Sequence, residues 1–168
     1  MRKKVYILVP LVLIMSNLWG IPFMIFDSGE KIGNDCINQI IVAIQKKDKT
    51  KLSSLFSEQA IIDSPTFQND VNYLFSFFNV KVRSFKKIRD CSHSSINQGE
   101  QKEQFNYWYL LKTTDENYLV FFVYNKNTET GTKDNGIYAI RIIKETDQSK
   151  YFTNWQDMCI PGIFNPER

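Results

Sequence analysis

The chain has 168 residues, 43% of them hydrophobic, and a formal charge of +3, which together indicate one folded domain and exclude a disordered chain. Arg2, Lys3 and Lys4 supply the whole positive excess, so the remaining chain is neutral. This neutrality argues against nucleic-acid binding, which depends on the neutralisation of phosphates. The single histidine, His93, and three cysteines without a Cys-x-x-Cys motif lead us to predict neither a metal site nor a cofactor.

Residues 1–26 are predicted to direct the chain to a membrane. Residues 5–26 carry no charge, and a helix of that length would cover about 33 Å, enough to cross a bilayer. An uncleaved anchor is favoured over a cleaved signal peptide, because the apolar run is long and the small residues that a signal peptidase prefers are missing. In both cases residues 27–168 are expected outside the cytoplasm, and cleavage would make the domain secreted.

The first half of the outer domain is predicted to be helical. After a connector over residues 27–33, Asn34 or Asp35 could cap a first helix. Its apolar positions follow the spacing i, i+3, i+4 and i+7 and are Ile37, Ile40, Ile41 and Ile44. A second helix is expected to begin at Thr50. A third repeats the apolar spacing with Val71, Leu74, Phe75 and Phe78.

After residue 79 the hydrophobic period changes to two, which indicates strands. Four antiparallel strands are expected, separated by polar loops that include residues 91–103. The strand over residues 118–124 is apolar on both faces. Its second face should therefore be covered by the aromatic tail at residues 151–164, by a pocket with its ligand, or by another chain. The predicted fold is α+β over residues 34–164: three helices on a curved four-stranded antiparallel sheet, preceded by one transmembrane helix.

Several motifs resemble known families. Residues 44–57 resemble the opening of nuclear-transport-factor-2-like domains, with a Lys-Asp break and a Leu-x-x-Leu-Phe second helix. A further resemblance is to the bacterial domain of unknown function 5104, through residues 74–78, Ser84, residues 136–137 and residues 161–163. Members of this family look like secreted lipoproteins of Gram-positive bacteria, although this chain lacks their lipid-attachment cysteine. The resemblance implies a cone-shaped α+β fold, often dimeric, with a pocket between helices and sheet.

Four residues are candidates for binding a ligand: Asp63, Tyr107, Tyr109 and Tyr138. Some enzymes of the superfamily place pocket residues where Asp63 stands, and a carboxylate buried near a tyrosine could act as a base. An aspartate before Ser-Pro is more typical of a turn or helix cap, so no catalytic residue is assigned.

The cysteines and the basic residues leave alternatives open. One disulfide could join Cys159 to Cys91 or to Cys36, although three free thiols are favoured. His93 is expected in a solvated loop. A basic strand could bind anions or could be an edge strand protected by charge, and the second interpretation is favoured. Its residues are Lys81, Arg83, Lys86, Lys87 and Arg89.

The sequence therefore predicts a membrane-anchored extracytoplasmic domain that binds a small ligand or another protein without catalysis. One alternative is a small-molecule enzyme that uses a pocket carboxylate, and another is an immunity-type protein that binds a toxin. The expected partners are the membrane, through residues 5–26, and a second copy or an envelope protein, through the sheet face.

Overall fold

The computed structural model describes residues 29–97, 100–127, 132–152 and 158–167. None of the helices in these ranges is long and apolar enough to cross a membrane. The expected transmembrane helix at residues 5–26 lies outside the described residues, so it is not part of the fold that the structure shows.

In the described part of the chain, four helices precede the sheet, where three were expected. They are α1 (Gly29–Gln45), α2 (Lys49–Ser53), α3 (Glu58–Ile62) and α4 (Phe67–Phe77). Helix α1 begins before the expected caps, so residues 29–33 of the expected connector are helical. Helix α2 lies where the second helix was expected, and α3 is the additional helix that the sequence did not predict. The side chains of Asp48 and Ser57, and not that of Thr50, accept the capping hydrogen bonds of α2 and α3.

The sheet has five described strands in the order in which they occur in the chain. They are β1 (Ser84–Asn97), β2 (Glu100–Lys112), β3 (Asn117–Asn127), β4 (Gly136–Lys144) and β5 (Gly162–Ile163). The first four are antiparallel, but β5 pairs with β4 in parallel, so the prediction of a four-stranded antiparallel sheet is wrong. A strand of two residues is too short to show a hydrophobic period, which is why the pattern did not reveal it.

The loop expected at residues 91–103 is also wrong, because β1 and β2 form one long hairpin there. Cys91 is paired with Asn106, and the pairing continues outward to Asn97 and Glu100. The hydrogen bonds of a strand pair join backbone groups, so this part of the hairpin does not require apolar side chains. Hydrophobic periodicity is therefore a poor guide to its length.

The helices cover one face of the sheet, called here the helix face. All four isoleucines of the predicted α1 stripe are buried there, together with the predicted apolar residues of α4. Tyr107 and Tyr109 are 0% exposed between α1 and the sheet. Their hydroxyls donate hydrogen bonds to the Gly29 carbonyl and to Asn34 Oδ1. The two tyrosines thus fill the space between α1 and the sheet.

The C-terminal tail covers part of the opposite face, called here the second face. Phe121, Val123, Ala139 and Met158 form a separate buried cluster there. Arg141, which is 4% exposed, stacks its guanidinium 3.9 Å from the centre of the Phe164 ring and donates a hydrogen bond to the Tyr151 carbonyl. Of the three alternatives for covering the second face, the structure shows that the tail covers part of it.

Candidate functional site

A groove of about 350 Å³ lies beside the outer part of the β1–β2 hairpin, where the second face becomes polar. We call it the polar groove. Side chains from β1, β2, β3 and β4, from α3 and its C-cap, and from the segment before β4 line it. They include Gln59, Asp63, His93, Ser95, Lys102, Gln104, Asn125, Asn127, Asp134 and Tyr138.

The floor of the polar groove consists of two cross-strand rows. One row is His93, Gln104 and Asn125, and the other is Ser95, Lys102 and Asn127. Residues that are paired directly in an antiparallel sheet point to the same face, so each row presents its side chains together. Gln104 Nε2 donates a hydrogen bond to Asn125 Oδ1 at 3.2 Å, which orients both amides.

Asp63 and Tyr138 form the wall of the groove at the β4 edge. Asp63 is the C-cap residue of α3, and its Oδ1 accepts a hydrogen bond of 2.8 Å from Gln59 Nε2. Strand β4 has one more residue than β3 between the pairs Val123–Ala139 and Tyr124–Ile137, and Tyr138 is this extra residue. Such a β-bulge redirects a side chain, and the Tyr138 hydroxyl donates to Asp63 Oδ2 at 3.4 Å.

Ion pairs bring both signs of charge to the groove. Lys102 Nζ lies 3.2 Å from Asp134 Oδ2 in the lining, and outside the lining Lys133 Nζ lies 3.2 Å from Glu58 Oε1 at the start of α3. These side chains are partly exposed, so each pair contributes little to stability. The Lys102–Asp134 pair adds little net charge to the groove, whereas the Asp63 and Glu103 carboxylates also line it.

The match to known families covers most of this architecture. A family model described as Domain of unknown function (DUF5104) matches residues 39–145, which contain α2, α3, α4 and the four antiparallel strands. The chain belongs to this family. No curated protein gives a significant match. The resemblance to nuclear-transport-factor-2-like domains is not confirmed by these comparisons and stays a prediction.

Within this DUF5104 domain, the four predicted ligand-binding residues do not come together. Asp63 and Tyr138 meet at the polar groove, whereas Tyr107 and Tyr109 lie in the core on the helix face. Burial, as the largest cause, raises the pKa of both core tyrosines above the ordinary value. They therefore remain neutral hydrogen-bond donors that hold α1 against the sheet.

Sequence reasoning missed most of the groove floor. The loop expected at residues 91–103 contains His93, Ser95 and Lys102, and neither Gln104 nor Asn125 was assigned to a strand. Residues 92–104 are polar at nearly every position, so this segment shows no alternation that would indicate a strand. His93 is exposed, as predicted, but it lies on a strand rather than in a loop.

The geometry gives little support to acid–base chemistry at the groove. The Asp63 side chain is exposed instead of buried, and its predicted role as a helix cap is confirmed. Burial, followed by the neighbouring Asp63 carboxylate, raises the pKa of Tyr138, so this hydroxyl keeps its proton at neutral pH. Within the described ranges, no cluster of three His, Cys, Asp or Glu side chains is placed to hold a metal ion.

Three of the five predicted basic residues, Lys86, Lys87 and Arg89, lie on β1 at the edge of the described sheet, whereas Lys81 and Arg83 precede this strand. Lys87 forms ion pairs with Glu30 and Asp90, and the Arg89 guanidinium lies 5.3 Å from the centre of the Trp108 ring. These cations are engaged within the protein on the outermost strand, β1. The arrangement agrees with an edge strand that is protected by charge.

Proposed function

We propose that the domain binds a small, uncharged and hydroxyl-rich ligand of the saccharide class in the polar groove, without changing it chemically. The proposal rests on seven of the polar side chains that line one groove. Four of them are amides, one is a carboxylate and two are hydroxyls: Gln59, Gln104, Asn125, Asn127, Asp63, Ser95 and Tyr138. The volume of about 350 Å³ lies in the range of small-molecule pockets.

The chemistry of the lining groups supports this ligand class. An amide side chain both donates and accepts hydrogen bonds, as a sugar hydroxyl does, so the two can satisfy each other. Asp63 adds a strong acceptor, and a hydrogen bond to a charged group is stronger than one between neutral groups. Because Lys102 is paired with Asp134, and the Asp63 and Glu103 carboxylates also line the groove, the groove disfavours an anion and is suited to a neutral ligand.

Binding is preferred to catalysis because a convergent acid–base pair is not seen among the described groove residues. The Asp63–Tyr138 contact is the observation in favour of an enzyme, but the carboxylate is exposed and the hydroxyl keeps its proton. The immunity-type alternative, a second copy or an envelope protein at the sheet face, and the placement of residues 27–168 outside the cytoplasm stay predictions. The basic and then uncharged sequence of residues 1–26 supports that placement.

The experiment is a titration of the purified full-length chain with a panel of neutral mono- and disaccharides. Binding is monitored by NMR chemical-shift changes and by calorimetry. We expect shifts that concentrate on the groove floor, and we expect Asp63→Asn to weaken the affinity about tenfold or more. Asp115→Asn is the matched control, because Asp115 is an exposed residue of the β2–β3 turn and does not line the groove. Shifts that avoid the groove, or an affinity that Asp63→Asn leaves unchanged, would contradict the proposal.

A further inference from the structure

The three cysteines are free thiols, and the sheet divides them into two groups. Cys36 is buried in α1 within the core of the helix face. Cys159 packs against the buried cluster of the second face, through which the tail covers β3 and β4. Since the sheet stands between these two thiols, the pairing of Cys36 with Cys159 that the sequence left open is excluded in the folded domain.

Cys91 lies on the same face as Cys159. Its partner across the hairpin is Asn106, whose own partner on β3 is Val123, a member of the cluster that Cys159 contacts. Directly paired residues share a face, so Cys91, Asn106 and Val123 form one row on the second face. Asn106 Nδ2 lies 3.7 Å from Cys91 Sγ, which confirms the direction of the Cys91 side chain.

The centre of this row is buried although Asn106 is polar. Asn106 is only 2% exposed, so other parts of the protein exclude water from the sheet at this point. Cys91 and Cys159 are both partly exposed, whereas Cys36 is buried. The Cys91 thiol is also among the groups that raise the pKa of Cys159, after desolvation as the largest cause, so the two thiols lie within electrostatic range.

We propose that Cys91 and Cys159 form a disulfide under oxidising conditions, which joins the β1–β2 hairpin to the C-terminal tail. With a glutathione disulfide as oxidant, the thiolate of one cysteine attacks a glutathione sulfur and releases one reduced glutathione. The thiolate of the second cysteine then attacks the protein sulfur of the mixed disulfide and releases another. Two electrons pass from the cysteines to the oxidant, and each cysteine loses one proton.

The disulfide would hold the tail over the second face at the inner end of the polar groove. Cys91 precedes His93 by two residues on the same face, so the bond would also restrain the part of the hairpin that carries the groove floor. A bond between residues this far apart in the chain restricts the unfolded state strongly, and the oxidised form should resist unfolding better than the reduced form. This inference does not depend on the ligand of the groove.

The test is to incubate the reduced, folded full-length chain with oxidised glutathione, and then to map peptides without reduction and to measure urea unfolding. We expect a Cys91–Cys159 peptide within one chain, and a higher unfolding midpoint after oxidation. Cys36→Ser should leave both results intact, whereas Cys91→Ser and Cys159→Ser should each abolish both. Circular dichroism of the reduced variants establishes that they are folded before oxidation.

Three results would overturn the inference. The first is a dominant link that involves Cys36, and the second is a link between Cys91 residues of two chains. The third is a protein in which Cys91 and Cys159 stay as thiols or as separate glutathione adducts. Burial raises the pKa of Cys36 to about 12, so its slow reaction with a thiol reagent is an internal standard for the folded state.

Discussion

Replacement of Gly162 by alanine should weaken the junction between the C-terminal tail and the sheet. Gly162 begins β5 with a φ of +84°, a left-handed conformation that costs a residue with a Cβ about 1–2 kcal/mol. A Cβ at this position would lie 2.4 Å from Oγ and 2.7 Å from Cβ of Ser64. These separations are too short for non-bonded atoms, so the strand or Ser64 must move.

The free energy of unfolding should fall by about 2–5 kcal/mol, because overpacking adds about 1–3 kcal/mol to the backbone strain. Ser64 offers a way to separate the two causes. It is 3% exposed, and its Oγ has no hydrogen-bond partner among the described residues. Ser64→Gly removes both atoms that the new Cβ would meet, so Gly162→Ala should cost less in that background by the steric part alone.

The assay is urea unfolding of the parent, the two single variants Gly162→Ala and Ser64→Gly, and the double variant. Tryptophan fluorescence monitors the unfolding of each protein. A Gly162→Ala protein with the parent midpoint would show that residues 162–163 do not pair with β4 in solution. Equal losses in the two backgrounds would show that Ser64 is not the neighbour that the alanine meets, and would refute the steric part of the reasoning.

Two further predictions concern the core. Ile41→Asp should lower the free energy of unfolding by more than about 3 kcal/mol, because Ile41 is 8% exposed and the new carboxylate would be buried without a partner. If circular dichroism shows that the variant unfolds as cooperatively as the parent and at the same midpoint, the packing of α1 described above is contradicted. Alkaline pH should destabilise the domain, because burial, as the largest cause in each case, raises the pKa of Tyr107, Tyr109 and Tyr118 above the ordinary value of 10.0. Above pH 10 the folded state therefore binds more protons than the unfolded state, so these tyrosines leave the free energy of unfolding unchanged below pH 10 and lower it above pH 10. Urea unfolding midpoints measured across this pH range test the direction of the change, and tyrosinate absorbance reports when the tyrosines lose their protons.

Some elements of the fold followed directly from side-chain patterns. The α1 stripe of Ile37, Ile40, Ile41 and Ile44 is buried as predicted, because a helix has only one way to present those positions to an apolar surface. Strand β3 was predicted to be covered on both faces. Phe122 lies in the core of the helix face and Phe121 in the cluster of the second face, which confirms the prediction.

Other elements depended on backbone pairing, which leaves no clear side-chain pattern. The outer half of the β1–β2 hairpin is polar and exposed, and its pairing is visible only when both strands are placed side by side. The floor of the polar groove follows from this pairing. It was missed because residues such as Gln104 and Asn125 have no reason to be neighbours until the register of three strands is known.

The amino-acid pattern alone was enough for the order of helices before strands, for the buried stripes and for the two apolar faces of β3, because these features depend on residues within a few positions of each other. The meeting of Asp63 with Tyr138, the parallel fifth strand and the shared face of Cys91 and Cys159 were decided by the tertiary structure. Asp63 and Tyr138 are 75 positions apart, and they meet because α3 ends at the β4 edge where a bulge redirects the tyrosine. Contacts of this kind depend on how whole elements pack, and local spacing carries no information about that.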